Sequence, residues 1–230
     1  MSQYFIIANI DKQEKFDPSY FGPSTLMGWS WEKDEPAIAL INLLATRWRG
    51  DRVYVIGDYA DVNDCGSPYH KAITSLAKSH KLDKNSIVFN HVSGNKFKNI
   101  SQKVECSTSK YRYIYNHAKG IYIDLKHCPI ECIEQDKDSG EYYAKKVSPL
   151  PILLAMGNGH GFGDYRGYRG KEYAGTWCDS VKSIEITKKP LNVDYKEFRP
   201  DFTFNKTIIP YTEEKLLIQK EKDEYVERIE

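Results

Sequence analysis

Apolar positions along the chain fall in short runs, and one order of runs occurs twice. Near the start, Tyr4-Phe-Ile-Ile-Ala-Asn9 is aromatic and β-branched, a polar turn follows around Asn9-x-x-Lys12, and a second strand ends at Asp17. Asparagine suits such a turn because its side chain tolerates positive φ and can bond its own backbone. Ile38, Leu40, Ile41, Leu44, Ala45 and Trp48 then share one face at helical spacing, beginning after Pro36. Asp51-Arg-Val-Tyr-Val-Ile56 alternates and is β-branched, which predicts a strand.

The second pass begins at Tyr111-Arg-Tyr-Ile-Tyr-Asn116 and ends at Asp124. Asn9 pairs with Asn116, Lys12 with Lys119 and Asp17 with Asp124, all at an offset of 107. Leu40-Ile-Asn-Leu-Leu-Ala45 is echoed by Leu150-Pro-Ile-Leu-Leu-Ala155 at an offset of 110. Trp48 to Ile56 is echoed by Trp177-Cys-Asp179-Ser-Val181-Lys-Ser-Ile184, at an offset of 128 from Asp51 onward. The 18 added residues coincide with the glycine-rich stretch Gly157 to Gly170, which the first pass lacks. Loops accept insertions and packed elements do not, so this pattern points to an internal duplication. Pro149 and Pro151 confine the second helix to a start near Pro151, because proline is tolerated only in the first turn.

Elsewhere, Ser67 to Leu82 reads as a helix with Ile73, Leu76 and Ala77 inward, and Ser86 to Val92 as a strand. Glu213 to Glu230, preceded by Thr212 as a cap, has Lys and Glu at helical pairing distance and is either a solvated tail helix or an arm that docks on a partner. Trp29 and Trp31 would lie on one side of an extended segment, either covering the first helix or forming a partner surface. The expected fold is α+β, with two similar lobes related by a pseudo-twofold axis, each a small, largely antiparallel sheet with a packed helix. The lobes span 1–108 and 109–212, with the glycine-rich insertion at 157–170 and a charged helix or arm at 213–230.

Composition narrows the function more than the fold. A net charge of +1 over 230 residues gives no bulk attraction to nucleic acid or to anionic membranes. Wholly apolar runs are only a few residues long against the ~20 needed to span a bilayer, and residues 1–30 lack a charged start with a long apolar run. The expectation is a cytoplasmic protein, neither secreted nor membrane-spanning. Five scattered cysteines, an odd number, are expected to stay reduced.

The stretch from Gly157 to Gly170 carries the densest candidate chemistry. Its glycines leave backbone amides uncovered, and its arginines offer forked donors for phosphate. The candidate ligand-binding set is Gly157, Asn158, Gly159, His160, Gly161, Gly163, Asp164, Arg166 and Arg169. It matches neither the phosphate loop nor the dinucleotide fingerprint, so an ordered surface loop is the competing reading. Arg166-Gly-Tyr-Arg-Gly170 resembles arginine-glycine segments that bind single-stranded RNA, but the neutral charge withholds the electrostatic footprint. His127-Cys-Pro-Ile-Glu-Cys132 is at most half of a zinc site. No metal, no cofactor and no catalytic residue is expected, because neither a nucleophile elbow nor a second cysteine pair is present.

The string Tyr4-Phe-Ile-Ile-Ala-Asn9 with Lys12, Phe16-Asp17-Pro18, a Leu-Leu-Ala helix, Gly157-Asn-Gly-x-Gly-x-Gly-Asp-Tyr165 and Trp48-x-Gly-Asp-x-Val-x-x-x-Gly57-Asp58-Tyr59 resembles an uncharacterised bacterial family with similar proteins in viruses. In that family one copy carries hairpin, helix, glycine-rich loop and Gly-Asp-Tyr strand in succession. Here the first copy keeps Gly57-Asp58-Tyr59 and the second keeps the glycine loop. The resemblance covers about half the chain and implies no activity; the Lys-, Asn- and Tyr-rich usage fits an AT-rich genome, as of a virus, a phage or a protist. The functional expectation is a non-catalytic binding or assembly module, viral or phage-borne, that meets a protein partner or a second copy through loops and an inter-lobe groove. The alternatives are capture of a phosphorylated small molecule or nucleotide by the 157–170 loop, and a structural role in a larger particle through the C-terminal helix.

Overall fold

The computed structural model describes residues 3–22, 26–64, 66–84, 86–127, 130–135, 140–158, 164–165, 168–199 and 208–210. Along the chain these form β1 (Phe5–Asn9), β2 (Glu14–Phe16), α1 (Leu26–Trp29), α2 (Glu35–Ala45), β3 (Val53–Gly57), α3 (His70–His80), α4 (Val88–Ser93) and β4 (Lys98–Asn99). There follow β5 (Tyr113–Asn116), β6 (Ile121–Asp124), β7 (Glu131–Gln135), β8 (Tyr142–Lys146), α5 (Pro149–Leu153), β9 (Ala155–Met156), β10 (Tyr168–Arg169), β11 (Ile184–Thr187), β12 (Lys196–Glu197) and β13 (Ile208–Pro210). The protein is thus mixed α+β, with small sheets and few helices. The segment 213–230 lies outside the described residues.

Three sheets result, ordered β4-β2-β1-β3-β9, β11-β5-β6-β12 and β10-β7-β8-β13. In the first, β1 pairs antiparallel with β2 and β3, while β4 joins β2 and β9 joins β3 in parallel. In the second, β5 pairs antiparallel with β6 and β11, and β12 joins β6 in parallel. The run β3-β1-β2-β4 therefore has the same order and pairing sense as β11-β5-β6-β12.

Backbone bonds repeat in the same places. The amide of Ile10 donates to Arg52 O at 2.8 Å, and that of His117 to Ser183 O at 3.0 Å. Lys98 donates to Gln13 O and Lys196 to Gly120 O; Ile100 donates to Lys15 O and Phe198 to Tyr122 O. Each hairpin ends in an aspartate whose carboxylate accepts the amide two residues on, Ser19 on Asp17 at 2.9 Å and Lys126 on Asp124 at 3.0 Å. Asn9 and Asn116 are both fully buried at the turns, where their side-chain amides donate to Asp51 and to Ser180, each at 2.7 Å.

Four expectations shift. Asn9 lies opposite Val53 and Asn116 opposite Ile184, which moves the third landmark of the second pass from an offset of 128 to 131. The stretch Cys178–Ser183, expected as strand, is a 3-10 segment, and the strand begins only at Ile184. Val88 to Ser93 is a helix rather than a strand: Val88 and Val92 sit one turn apart and both are buried while Asn90 between them is exposed, whereas a strand would put all three on one face. The second helix starts at Pro149 rather than Pro151, with both prolines inside its only turns.

One contiguous core holds residues from both halves of the chain. β1 is buried along its whole length, and α4 packs on it. α2 lays Leu40, Ile41 and Leu44 inward and packs on β11 and α5, elements that come much later in the chain. Just past α2, Trp48 stacks on Phe16 with ring centroids 6.0 Å apart and donates its indole N–H to Glu14 Oε2 at 2.9 Å. Trp29 is buried, whereas Trp31 is half-buried with the Lys145 ammonium 3.9 Å over its ring. No helix among the described residues is long and apolar enough to cross a membrane.

Candidate functional site

β3 and β9 run side by side in parallel, Val55 against Ala155 and Ile56 against Met156, and each runs out into a glycine. The turn Gly57-Asp58-Tyr59 and the root of the glycine-rich segment at Gly157 are thereby neighbours, although about a hundred residues separate them in sequence. Loops that leave the carboxyl ends of adjacent parallel strands are where open sheets place ligand sites.

Gly157 is held on every side. Its φ is +83°, and a Cβ there would meet Ala60 N at 2.7 Å. Its amide donates to the Tyr69 hydroxyl at 2.9 Å, and its carbonyl accepts from Gln3 Nε2 at 2.6 Å. Tyr69 in turn donates to Asp64 Oδ2 at 2.8 Å. Burial, followed by the bond to Asp64, pushes the Tyr69 phenol up, so it stays protonated and keeps both bonds at neutral pH. Gly175, at φ +75°, lets Tyr69 and Ala155 O approach to 2.6 Å of where its side chain would be.

Further along the segment, Asp164 and Tyr165 are both buried. Asn158 Oδ1 accepts the Tyr165 amide at 2.9 Å and so ties the outgoing limb to the returning one. Arg169, on β10, pairs with Glu131 at 3.2 Å across the strand neighbour β7. Of the candidate set, Gly157, Asn158, Asp164 and Arg169 are thus placed, with Asp164 buried in the fold and Arg169 committed to a carboxylate. Gly159, His160, Gly161, Gly163 and Arg166 lie outside the described residues.

Beside the root lies a cleft of about 370 Å³ that sequence reasoning missed. Asp64, Ser67 and Tyr69 line it from the first half of the chain, and Asn158, Lys171 and Glu172 from the second. Compared with protein-family models, with curated proteins and with solved structures, the chain matches none. Among the described residues no group of three or more His, Cys, Asp or Glu side chains is placed to hold a metal. Cys106 and Cys178 are free thiols, and His127 and Cys132 belong to separate surroundings, the one half-exposed beside Asp124 and Glu197, the other buried in β7.

Two polar side chains lining the cleft are engaged within the fold. The Tyr69 hydroxyl is spent on Asp64 and Gly157, and Asn158 is spent on Tyr165. Cys178, buried nearby, has its thiol pushed well up by burial and then by Asp179, which removes the thiolate a nucleophile needs.

Proposed function

We propose that the protein is a non-catalytic binding module made of two diverged copies of one unit, and that it receives a partner at the cleft lined by Asp64, Ser67 and Tyr69 from the first copy and by Asn158, Lys171 and Glu172 from the second. The duplication is supported by the matched sheets and by the paired bonds at Ile10 and His117, at Lys98 and Lys196, and at Ile100 and Phe198. Chance resemblance of short strands gives no reason for the turn, the edge strand and the closing aspartate to agree together.

The single observation that carries the binding reading is the fixing of Gly157. Contacts from three separate segments, at Gln3, Ala60 and Tyr69, immobilise Gly157 at the root of the glycine-rich segment, while Ser67, Lys171 and Glu172 line the cleft beside it. A rigid base is how binding modules limit the ordering cost of association. In this reading Asp64 and Glu172 favour a basic or amine-bearing segment of a protein partner over a phosphate at this cleft.

A photoreactive amino acid placed at Lys171, on the cleft's rim, tests this in cells that make the protein. Discrete cross-linked adducts at 171 that are absent with the same group at Lys196 or Lys98 support the reading. Equal labelling at all three sites, or none at 171, removes it.

A further inference from the structure

A second cleft, of about 440 Å³, lies on the other side of α3, between that helix and the 3-10 segment Cys178–Ser183. Its walls come from the two halves of the chain and its floor from Arg52 and Tyr54 at the start of β3. α3 turns Lys71 and Ser75 toward it, one helical turn apart. The opposite wall supplies Lys182 and Ser183.

Charge in this cleft is unbalanced. Asp11 accepts the Arg52 amide and Nε, both at 2.7 Å, and stands 3.6 Å from Lys182, so one carboxylate serves two cations. Asp179, the only carboxylate in the cleft's lining, is turned to the backbone: its Oδ1 accepts the Ala72 amide at 2.8 Å and caps α3. Lys71, exposed on the first turn of α3, has no carboxylate within ion-pair distance among the described residues. Lys71 and Lys182 therefore flank the cavity from its two walls, with Arg52 at its floor held by Asp11.

Donors complete the set. The hydroxyls of Ser75 and Ser183 line opposite walls, and Arg52 keeps Nη1 pointed along α3 toward Ser79 at 3.4 Å. Burial pushes up both the Tyr54 phenol and the Cys178 thiol, so the floor carries neutral O–H and S–H groups and adds no negative charge at neutral pH. The volume is within the range of small-molecule sites and takes a group of mononucleotide or sugar size.

We propose that the α3–Ser183 cleft binds a small phosphomonoester, its phosphoryl oxygens taken by Lys71 and Lys182 from opposite walls with Arg52 beneath and the Ser75 and Ser183 hydroxyls donating. Two lysines on opposite walls of one cavity, with serine hydroxyls beside them, are a donor set that phosphate recognition uses. The site is separate from the glycine-loop cleft and does not depend on the reading given for it.

Titration calorimetry on the full chain tests the site, with a nucleoside monophosphate, a hexose 6-phosphate, the matching nucleoside and hexose, and inorganic phosphate as probes. A phosphomonoester is expected to bind, its unphosphorylated counterpart not to bind, and inorganic phosphate to bind at least about tenfold more weakly, the equivalent of 1.4 kcal/mol. Lys71→Ala and Lys182→Ala are each expected to weaken binding about tenfold or more while leaving the melting temperature unchanged, since both side chains are exposed. Absence of binding by either phosphomonoester overturns the proposal. So does binding that survives both substitutions, and so does inorganic phosphate binding as tightly as the esters, which would reduce the cleft to a patch of positive charge. Loss of cross-linking at Lys171 would leave this result untouched.

Discussion

Gln13 and Gly120 close the two hairpins in the same left-handed conformation, with φ of 51° and 61°. Each carbonyl at that point accepts an amide from the edge strand, Lys98 in one hairpin and Lys196 in the other, so the backbone cannot relax without losing a bond. Glycine adopts this conformation freely and glutamine does so at a cost of about 1–2 kcal/mol.

Exchanging the two residue types should therefore move stability in opposite directions. Gln13→Gly is expected to stabilise the protein by about 0.5–1 kcal/mol, and Gly120→Ala to destabilise it by about 1 kcal/mol. Nothing lies within 4 Å of where the Gly120 side chain would be, so its effect is one of backbone strain alone. Denaturant unfolding of both variants measures this; shifts of the same sign would mean that the turns are not alike.

Gly157→Ala has both strain and collision against it. With φ at +83° and Ala60 N at 2.7 Å, the substitution must push the glycine-rich root off the Gly57 turn. A loss of roughly 2 kcal/mol or more is expected, with faster amide exchange at Gly157 as the Tyr69 bond opens. Exchange mass spectrometry reads the second effect independently of global stability.

His80 and His91 hydrogen-bond through Nδ1 and Nε2 at 3.0 Å and pack with Phe97. Burial lowers both below the ordinary value of 6.5, aided by Arg52 and Lys96 on His80 and by His80 and Lys96 on His91; only Asp11 pulls His80 the other way. The unfolded chain then binds more protons than the folded one below about 6.5, so stability from this pair is whole above that pH and falls as the pH drops toward the folded values. Melting temperatures between about pH 7.5 and 5.5 should decline, and His91→Gln should flatten the slope. An unchanged slope in that variant would assign the decline to other groups.

The Glu14 carboxyl is nearly buried; burial alone would raise it, but Trp48 and Arg47 outweigh burial and hold it below the carboxylate range. Trp48→Phe keeps the stack on Phe16 and removes the indole donor, and a cost of about 1–3 kcal/mol is expected. Adding Glu14→Gln to that variant should recover part of the loss, because a neutral amide tolerates the dry site better. A double-mutant cycle in urea measures the coupling.

Hairpins were legible because their signal is local: an asparagine, a lysine three residues on and an aspartate at the far end fix a turn regardless of what surrounds it. The third strand of the second pass was misplaced because Trp177, Asp179 and Val181 imitate Trp48, Asp51 and Val53 in type, whereas only pairing with Asn116 reveals that the strand starts at Ile184. Hydrophobic pattern could not separate strand from helix at Val88, where the run is shorter than two turns. The hairpin of β7 and β8 and the sheet it builds went unread, since alternation there is carried by Cys132, Lys145 and tyrosines rather than by aliphatic residues. Both clefts were invisible for a different reason: each joins residues about a hundred positions apart, and no periodicity reports that.

β9 has a consequence for how the chain is made. The first sheet is closed on one edge by a strand that the ribosome delivers only after both later hairpins have emerged. Until Ala155 arrives, β3 presents an unpaired edge of buried-type residues, the kind of surface that recruits strangers. The nascent N-terminal half is therefore most exposed to aggregation while the rest is still being synthesised, and its completion is an event of the whole polypeptide.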